Sequence, residues 1–167
     1  RAECVEGETA PSPVYANGLV YAISPYMDIA AVKADGTGDV TETGIPWRGE
    51  DGVPDITSPI TNGELFWTAV TEGYMTCYDT ATGEMLFEGE LDDEFFASPS
   101  LVGDQFLVVA RGGTVKVIAV AREFEELGSF QAVQEEDEEE VLASPAFAGR
   151  KMILRTTKSL ICLEPGS

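Results

Sequence analysis

Apolar and polar positions along the chain form short runs that repeat with a period near forty residues. Four of the five Ser-Pro pairs recur with spacings of 46, 40 and 46 residues. The four copies are Ser12-Pro13, Ser58-Pro59, Ser98-Pro99 and Ser144-Pro145. A period of this length is too long for a single hairpin and is typical of one four-stranded propeller blade. We therefore expect four diverged copies of one antiparallel module.

Each copy continues with a turn glycine, an apolar run, a polar turn and a second apolar run. The runs are short, rich in β-branched and aromatic residues and partly alternating, which favours strands over buried helices. The first runs are 19–23, 65–67, 106–109 and 152–154, and the second runs are 29–32, 74–78, 115–118 and 160–163. The best helix candidate is 120–127, but its position after a second run predicts a connection into a fourth strand.

The segment 78–87, YDTATGEMLF, resembles the repeat of the PQQ-like (quinoprotein-type) β-propellers. In that repeat an Asp-x-x-Thr-Gly turn leads to a strand carrying Trp, and Phe87 takes the place of the tryptophan. Trp47 and Phe87 each lie twelve residues before the next Ser-Pro proline, so two copies share one register for the aromatic residue. Val133 has the same place in the third copy and an acidic tract follows it, so the fourth strand of that copy is not assigned.

The period and the resemblance predict an all-β fold, a β-propeller segment of about four four-stranded antiparallel blades. We expect one domain over 1–167, with blades at roughly 10–50, 51–90, 91–135 and 141–167 and a strand remnant at 1–8. The family includes lipoproteins of outer-membrane assembly and quinoprotein dehydrogenases, and the resemblance implies seven or eight blades in a complete ring. The chain is therefore interpreted as a fragment or half of a larger ring.

End blades expose apolar surface unless a neighbour covers them. One hypothesis is that two copies assemble as four plus four blades, each N-terminal strand completing the last blade of the other. The alternatives are a closed four-bladed ring and an open arc that belongs to a longer protein.

The composition excludes several functions. The 167 residues are 44% hydrophobic, which predicts a folded core, and carry a net charge of -20 with no histidine. Ten scattered Lys and Arg residues argue against nucleic-acid binding, which needs clustered positive charge. The absence of histidine from the sequence excludes a Ser-His-Asp triad and a His-containing zinc site. No apolar run is long enough to span a membrane.

The resemblance to quinoprotein dehydrogenases implies adjacent cysteines against PQQ, a calcium ion held by oxygen ligands, and an Asp base. The chain has Cys4, Cys77 and Cys162 and no adjacent pair. Half a ring also lacks most of an axial pocket. We therefore expect no cofactor, and we expect Cys77 and Cys162, each in a second apolar run, to be small buried hydrophobes.

Three acidic features are candidates for chemistry. The tract Glu135–Glu140 could offer oxygen ligands to calcium, but it has no glycine and neighbouring side chains of an extended segment diverge. A solvated loop or a docking patch for a basic partner is favoured. The segment Asp35–Asp39 lacks P-loop and EF-hand spacing and is predicted to be the blade turn that corresponds to 81–83. The pairs Asp51/Asp55 and Asp92/Asp93 could serve a glycosidase, but no catalytic, cofactor-binding or metal residue is assigned.

The large aromatic residues Trp47, Trp67 and Phe87 are predicted to pack between blades. Because Trp47 lies in the loop-like segment Pro46–Gly49, a carbohydrate-stacking role stays open for it.

The sequence thus predicts a non-catalytic scaffold or protein-interaction module, part of a larger protein. Its charge predicts salt-sensitive association with a basic protein surface. The resemblance implies a periplasmic or extracellular location. The alternative function is part of a quinoprotein or carbohydrate-active enzyme propeller.

Overall fold

The computed structural model describes residues 1–134, 136 and 138–164, and within them it contains strands and no α-helix. Four antiparallel sheets follow one another along the chain, here called blades 1 to 4. Blade 1 contains β1 (Val14–Ala16), β2 (Leu19–Ser24), β3 (Asp28–Lys33) and β4 (Trp47–Gly49). Blade 2 contains β5 (Ile60–Thr61), β6 (Leu65–Ala69), β7 (Tyr74–Asp79) and β8 (Met85–Glu90). Blade 3 contains β9 (Ser100–Val102), β10 (Gln105–Val109), β11 (Thr114–Ala119) and β12 (Glu126–Gln131), and blade 4 contains β13 (Ala146–Ala148), β14 (Lys151–Arg155) and β15 (Leu160–Leu163).

The predicted all-β propeller segment is confirmed. In every blade the strands pair in chain order, and each strand runs antiparallel to the next. Blades 1 to 3 have four strands, and blade 4 has three among the residues described. In that same part of the chain, no helix is long and apolar enough to cross a membrane.

The pleat gives each blade two apolar faces, and this explains why the strands are rich in hydrophobic residues at successive positions. The leading face of a blade points toward the preceding blade in the chain, and the trailing face points toward the next. Trailing and leading faces meet in three buried clusters. The clusters join Tyr21, Ile29 and Trp47 to Phe66 and Tyr78; Trp67, Met75 and Cys77 to Phe106 and Ile118; and Val109 and Val115 to Met152 and Leu154.

The Ser-Pro repeats link consecutive blades through hydrogen bonds. The backbone N–H of Ser12 donates to Oγ of Ser58 at 2.9 Å, and the N–H of Ser58 donates to Oγ of Ser98 at 2.9 Å. The N–H of Ser98 donates in turn to Oγ of Ser144 at 3.0 Å. Ser58, Ser98 and Ser144 therefore each offer their hydroxyl oxygen to the Ser-Pro pair one blade earlier, and we call this series of hydrogen bonds the serine ladder.

The fourth strand of blade 3 does not include Val133. Strand β12 ends at Gln131, and Gly128 lies opposite Val117, where Phe87 lies opposite Cys77 in blade 2. Of the six extra residues of this repeat, five therefore follow β12 and one precedes it. Val133 is buried beyond the strand, where it contacts Gly113.

Candidate functional site

The loops that connect consecutive blades lie at one end of the molecule together with the turns after each second strand. This follows from the alternating strand direction, because second strands end where fourth strands end. The segments are 50–59, 91–99 and 132–145 between blades, and 25–27, 70–73, 110–113 and 156–159 within them. We call this surface the loop face.

Acidic residues dominate the loop face. Its described acidic residues are Glu50, Asp51, Asp55, Glu72, Asp92, Asp93, Glu94, Glu136, Glu138, Glu139 and Glu140, and its basic residues are Arg111 and Lys158. Most of the acidic side chains are exposed. In the acidic tract, Glu135 and Asp137 lie outside the described residues. A surface of this charge favours cationic partners.

Asp55 fastens two turns of the loop face to each other. Its carboxylate accepts hydrogen bonds from the Tyr26 hydroxyl at 2.8 Å and from Oγ1 of Thr71 at 2.7 Å. Partial burial acts to raise the pKa of Asp55, but the hydrogen bonds from Thr71 and Tyr26 outweigh it and lower that pKa below its usual value. Asp55 thus stays ionised at neutral pH and connects a turn of blade 1 to a turn of blade 2.

Arg111 connects the next two loops. Its guanidinium lies 2.9 Å from Oε2 of Glu94 and 2.8 Å from Oε1 of Glu140, and it also lies over the ring of Phe96. Glu94 belongs to the loop before blade 3 and Glu140 to the loop after it. Planar Arg suits this double contact with carboxylates. One arginine therefore holds two acidic loops in a fixed relation.

The acidic tract is anchored to blade 4. The hydroxyl of Ser159 donates to Glu139 at 3.0 Å, and the hydroxyl of Thr156 also donates to Glu139. Among the described residues, no group of three or more Cys, Asp or Glu side chains is arranged to hold a metal ion.

The predicted carboxylate pairs have separate neighbours. The backbone carbonyl of Asp51 accepts from the Tyr78 hydroxyl at 2.6 Å, whereas the carboxylate of Asp55 bonds to the residues named above. Asp93 lies 3.6 Å from Nζ of Lys116, and Asp92 is exposed with a positive φ of 53°. These contacts give Asp51, Asp55 and Asp93 structural partners in loops and turns.

The turn at Asp79 explains the motif that carries the family resemblance. Oδ1 of Asp79 accepts from the N–H groups of Ala81 at 2.9 Å and Thr82 at 3.2 Å, which closes the turn. Gly83 has a φ of 74°, and a Cβ there would lie 2.6 Å from the ring of Trp47. Glycine is thus required twice, for its backbone conformation and for the close approach of Trp47.

Trp47 is a core residue between blades 1 and 2. It lies in β4 with 8% of its surface exposed, and its indole N–H donates to the carbonyl of Thr80 at 2.9 Å. Trp67 is fully buried. The prediction of inter-blade packing is confirmed for both tryptophans, and the carbohydrate-stacking role suggested for Trp47 is wrong because its ring is covered. Phe87 is half-buried and packs on Phe124 of blade 3.

The segment Asp35–Asp39 forms the connection between β3 and β4, as predicted. The carbonyl of Gly38 accepts from the N-terminal amine of Arg1 at 2.6 Å, and the N–H of Val40 donates to the carbonyl of Arg1 at 2.7 Å. The loop therefore holds the N-terminal segment against blade 1.

The three cysteines are free. Cys77 is fully buried between blades 2 and 3, and burial raises the pKa of its thiol to about 12. Cys162 is exposed, so the prediction that it is buried is wrong. The residues of this chain do not fit the cofactor site that the resemblance to quinoprotein dehydrogenases implies, because no two cysteines are adjacent and Cys77 is sealed inside a blade interface.

Sequence reasoning missed the Arg111 contacts and the serine ladder. The repeated Ser-Pro pairs carried a signal for the ladder. Proline alone is enough to make a turn, so the serine before each of these prolines indicated a second role. Arg111 gave no local signal, because its two partners lie 17 and 29 residues away.

Comparison with known proteins confirms the resemblance to PQQ-like β-propellers. The chain is 38% identical over 66 residues to the outer membrane protein assembly factor BamB of Aliivibrio fischeri. The matched segment is 39% of this chain and 17% of that protein. The crystal structure of BamB from Moraxella catarrhalis superposes with a TM-score of 0.66 at 10% identity, covering 91% of this chain and 44% of BamB. A quinohemoprotein alcohol dehydrogenase from Pseudomonas putida superposes with a TM-score of 0.67 at 11% identity. The superposition covers 89% of this chain and 29% of the dehydrogenase. No family model matches the chain. The chain spans less than half the length of each of the three proteins named above.

Proposed function

We propose that this chain is a non-catalytic β-propeller scaffold whose loop face binds a basic surface of a partner protein. The observation that carries the proposal is the excess of acidic over basic residues on the described part of the loop face, eleven against two. Complementary charge speeds encounter with a cationic partner and disfavours anionic ones. The similarity to BamB, an assembly factor for outer membrane proteins, supports a protein-interaction role and a periplasmic or extracellular location.

The loop face is suited to binding because its loops are held in place before a partner arrives. Asp55 joins two turns, Arg111 joins two inter-blade loops, and Glu139 is tied to Thr156 and Ser159. Ordering loops on binding costs free energy, and loops already fixed by such contacts avoid much of that cost. The exposed residues Glu50, Glu72 and Asp92 can then contact the partner directly.

The test compares two triple variants with equal loss of charge, using a decalysine peptide as the probe. Glu50→Gln, Glu72→Gln and Asp92→Asn neutralise the loop face, whereas Glu84→Gln, Asp104→Asn and Glu123→Gln neutralise the opposite end. Calorimetry at low salt should show affinity about five- to ten-fold weaker for the first variant, from roughly 0.3–0.5 kcal/mol per exposed charge. The second variant should bind within about two-fold of the unmodified chain. Equal losses in both variants would show attraction without a defined site and contradict the proposal.

The enzyme alternative is favoured only by the shared fold with the quinohemoprotein alcohol dehydrogenase. A ligand that binds the native state must raise its stability. The melting temperature measured with PQQ and calcium together should equal that of the chain alone. A rise of several degrees would support the enzyme alternative instead.

A further inference from the structure

We infer that the cleft between blades 3 and 4 binds an extended peptide segment that presents an aromatic side chain with a carboxylate beside it. The cleft lies between the trailing face of blade 3 and the leading face of blade 4, and none of its described lining residues belongs to the loop face. The inference is therefore independent of the function proposed for the loop face.

The fourth strand of blade 3 carries the aromatic residue and the glycine of the other blades in exchanged places. Blades 1 and 2 have an aromatic residue at the first of two positions on the trailing face and a glycine at the second. Blade 3 has glycine at the first position, opposite Val117, and phenylalanine at the second, opposite Val115. Blade 3 therefore lacks the ring that the earlier blades insert at the first position. The pairs are Trp47 and Gly49, Phe87 and Gly89, and Gly128 and Phe130.

In blade 1 the ring at the first position fills a slot in the interface with blade 2. Trp47 is almost fully buried there, and its ring centroid lies 5.6 Å from that of Tyr21 on its own blade. On blade 2 it packs against Phe66 at 6.3 Å and Tyr78 at 6.0 Å between ring centroids. The slot therefore accepts an aromatic side chain that an extended strand presents.

The equivalent slot between blades 3 and 4 is open. A Cβ built at Gly128 would have no described atom within 4 Å apart from those of its chain neighbours. The cleft at this place has a volume of about 740 Å³, which lies in the range of protein ligand sites. Its lining includes the three residues at the strand positions that surround Trp47 in the first slot, which are Leu107, Met152 and Leu163.

The open slot is a property of β12. In blades 1 and 2 the ring comes from the fourth strand of the preceding blade. For the third interface that strand is β12, all of whose residues are described, and it supplies Gly128 in place of a ring. The open slot therefore follows from the sequence of β12 and not from the position of blade 4 in the series.

Apolar side chains of both blades are exposed along the cleft. Phe130 is 45% and Val102 42% exposed on blade 3, and Phe147 is 43% exposed on blade 4. Phe147 lies opposite Met152, so it shares the face that lines the cleft. An inserted ring can therefore contact phenylalanine on both sides, in the tilted arrangements that aromatic pairs prefer. Exposed apolar surface of this kind is typical of interaction sites.

The rim of the cleft favours a carboxylate next to the inserted ring. Arg150 lies on the rim and forms no ion pair with any residue of the described chain, whereas Nζ of Lys151 lies 2.8 Å from Glu164. The described lining thus carries two basic side chains and one acidic one, in contrast to the acidic loop face. A carboxylate beside the aromatic residue can pair with the Arg150 guanidinium.

Titration of the unmodified chain with three peptides tests the chemistry of the occupant. The probes are acetyl-Gly-Trp-Asp-Gly-amide and the same peptide with alanine for tryptophan or asparagine for aspartate. We expect the alanine peptide to bind about ten-fold more weakly or worse, because it has no ring to bury. The asparagine peptide should bind about two- to five-fold more weakly, as expected for one exposed ion pair. Amide shifts in ¹⁵N–¹H spectra give the affinities, and the largest shifts should fall at Leu107, Gly128 and Leu163.

Two pairs of variants test the cleft itself. Phe130→Ala should weaken binding of the tryptophan peptide about five-fold or more. Leu127→Ala, at a similarly exposed position of the same strand outside the cleft, should leave the affinity within about two-fold. Arg150→Gln should abolish the difference between the aspartate and asparagine peptides, whereas Arg155→Gln, outside the lining, should preserve it. Unchanged urea midpoints show that each variant is folded.

Equal affinity of the unmodified chain for the tryptophan and alanine peptides would overturn the inference. Equal effects of Phe130→Ala and Leu127→Ala would do the same. Chemical-shift changes confined to the loop face, or to the trailing face of blade 4 around Leu160, would show that the peptide binds elsewhere and would also overturn it. None of these outcomes bears on the decalysine experiment, which uses other residues.

Discussion

Gly83 shows how one residue can join two blades. Its backbone adopts a left-handed conformation that closes the Asp79 turn, and its missing side chain leaves room for the Trp47 ring of the preceding blade. The indole N–H then reaches the carbonyl of Thr80. The turn motif is thus a docking surface for an aromatic residue as well as a reversal of the chain.

We predict that Gly83→Ala lowers the free energy of unfolding by about 2–4 kcal/mol, combining the cost of left-handed backbone with the clash against Trp47. Gly103→Ala is the matched control, because Gly103 has a φ of 65° and open space around its Cβ position. It should cost only about 1 kcal/mol. Urea unfolding measures both, and equal losses would show that the contact with Trp47 contributes nothing.

Asp79 is the residue whose protonation should weaken the same turn. A hydrogen bond from Arg122, followed by those from Ala81 and Thr82, lowers the pKa of this carboxyl group. A pKa lower in the folded than in the unfolded state stabilises the fold above the unfolded pKa, and that contribution is lost as the pH falls through the folded pKa. The stability gap between the unmodified chain and Asp79→Asn should be largest near neutral pH and shrink below about pH 4.

Urea unfolding at pH 7, 5 and 3 measures this gap, with Glu84→Gln at the exposed neighbouring position as the control. A gap for Asp79→Asn that does not change with pH would contradict the role assigned to the carboxylate.

At the scale of elements, the serine ladder sets the position of each blade against the next. Ser58, Ser98 and Ser144 each stand before the first strand of a blade, and the hydroxyl oxygen of each accepts from the corresponding backbone N–H one blade earlier. The side chain thereby satisfies a backbone N–H of a Ser-Pro segment, which lies outside the strands and so has no partner in a sheet.

Ser58→Ala should lower the free energy of unfolding by about 1 kcal/mol, because it leaves the N–H of Ser12 without its acceptor. Ser129→Ala, on the exposed strand β12, should change it by less than about 0.5 kcal/mol. Thermal and urea unfolding of the two variants give the comparison. If Ser58→Ala has no larger effect than Ser129→Ala, the ladder does not contribute to stability.

The strands could be predicted from sequence where side chains mark them. The runs 19–23 and 29–32 became β2 and β3 because alternation and β-branched residues specify a strand locally. The fourth strand of blade 3 could not be placed, because Gly128 stands where the other blades have an aromatic residue. The exposure of Cys162 depends on whether a neighbouring blade is present, which its local pattern does not encode.

The candidate site was less predictable than the fold. The acidic tract was visible as composition, but the joining of loops by Arg111 and Asp55 depends on long-range contacts. Side chains of the same type occur at many exposed positions, so only the folded chain shows which of them meet.

At the scale of the whole molecule, a net charge of -20 on 167 residues acts against compactness. Carboxylates on neighbouring loops repel one another, and Arg111 offsets this locally by lying between Glu94 and Glu140. Salt screens such repulsion over distances longer than about 10 Å at 0.1 M.

We therefore expect the melting temperature of the chain to rise by roughly 3–6 °C between 10 and 200 mM NaCl, from about 1–2 kcal/mol of relieved repulsion. Sucrose at equal osmolality is the uncharged control. A melting temperature that falls with NaCl would show that attraction between charges outweighs repulsion in the folded chain.

The central claim is that consecutive blades pack face to face in chain order, and the two indole N–H protons report on it directly. A ¹⁵N-edited NOE spectrum should show cross-peaks from the Trp47 indole N–H to Thr80 and Gly83, and from Trp67 to Phe106, whose ring centroid lies 4.4 Å from that of Trp67. These pairs are far apart in sequence and lie on successive blades. Cross-peaks confined to the blade that contains each tryptophan would contradict the packing described here.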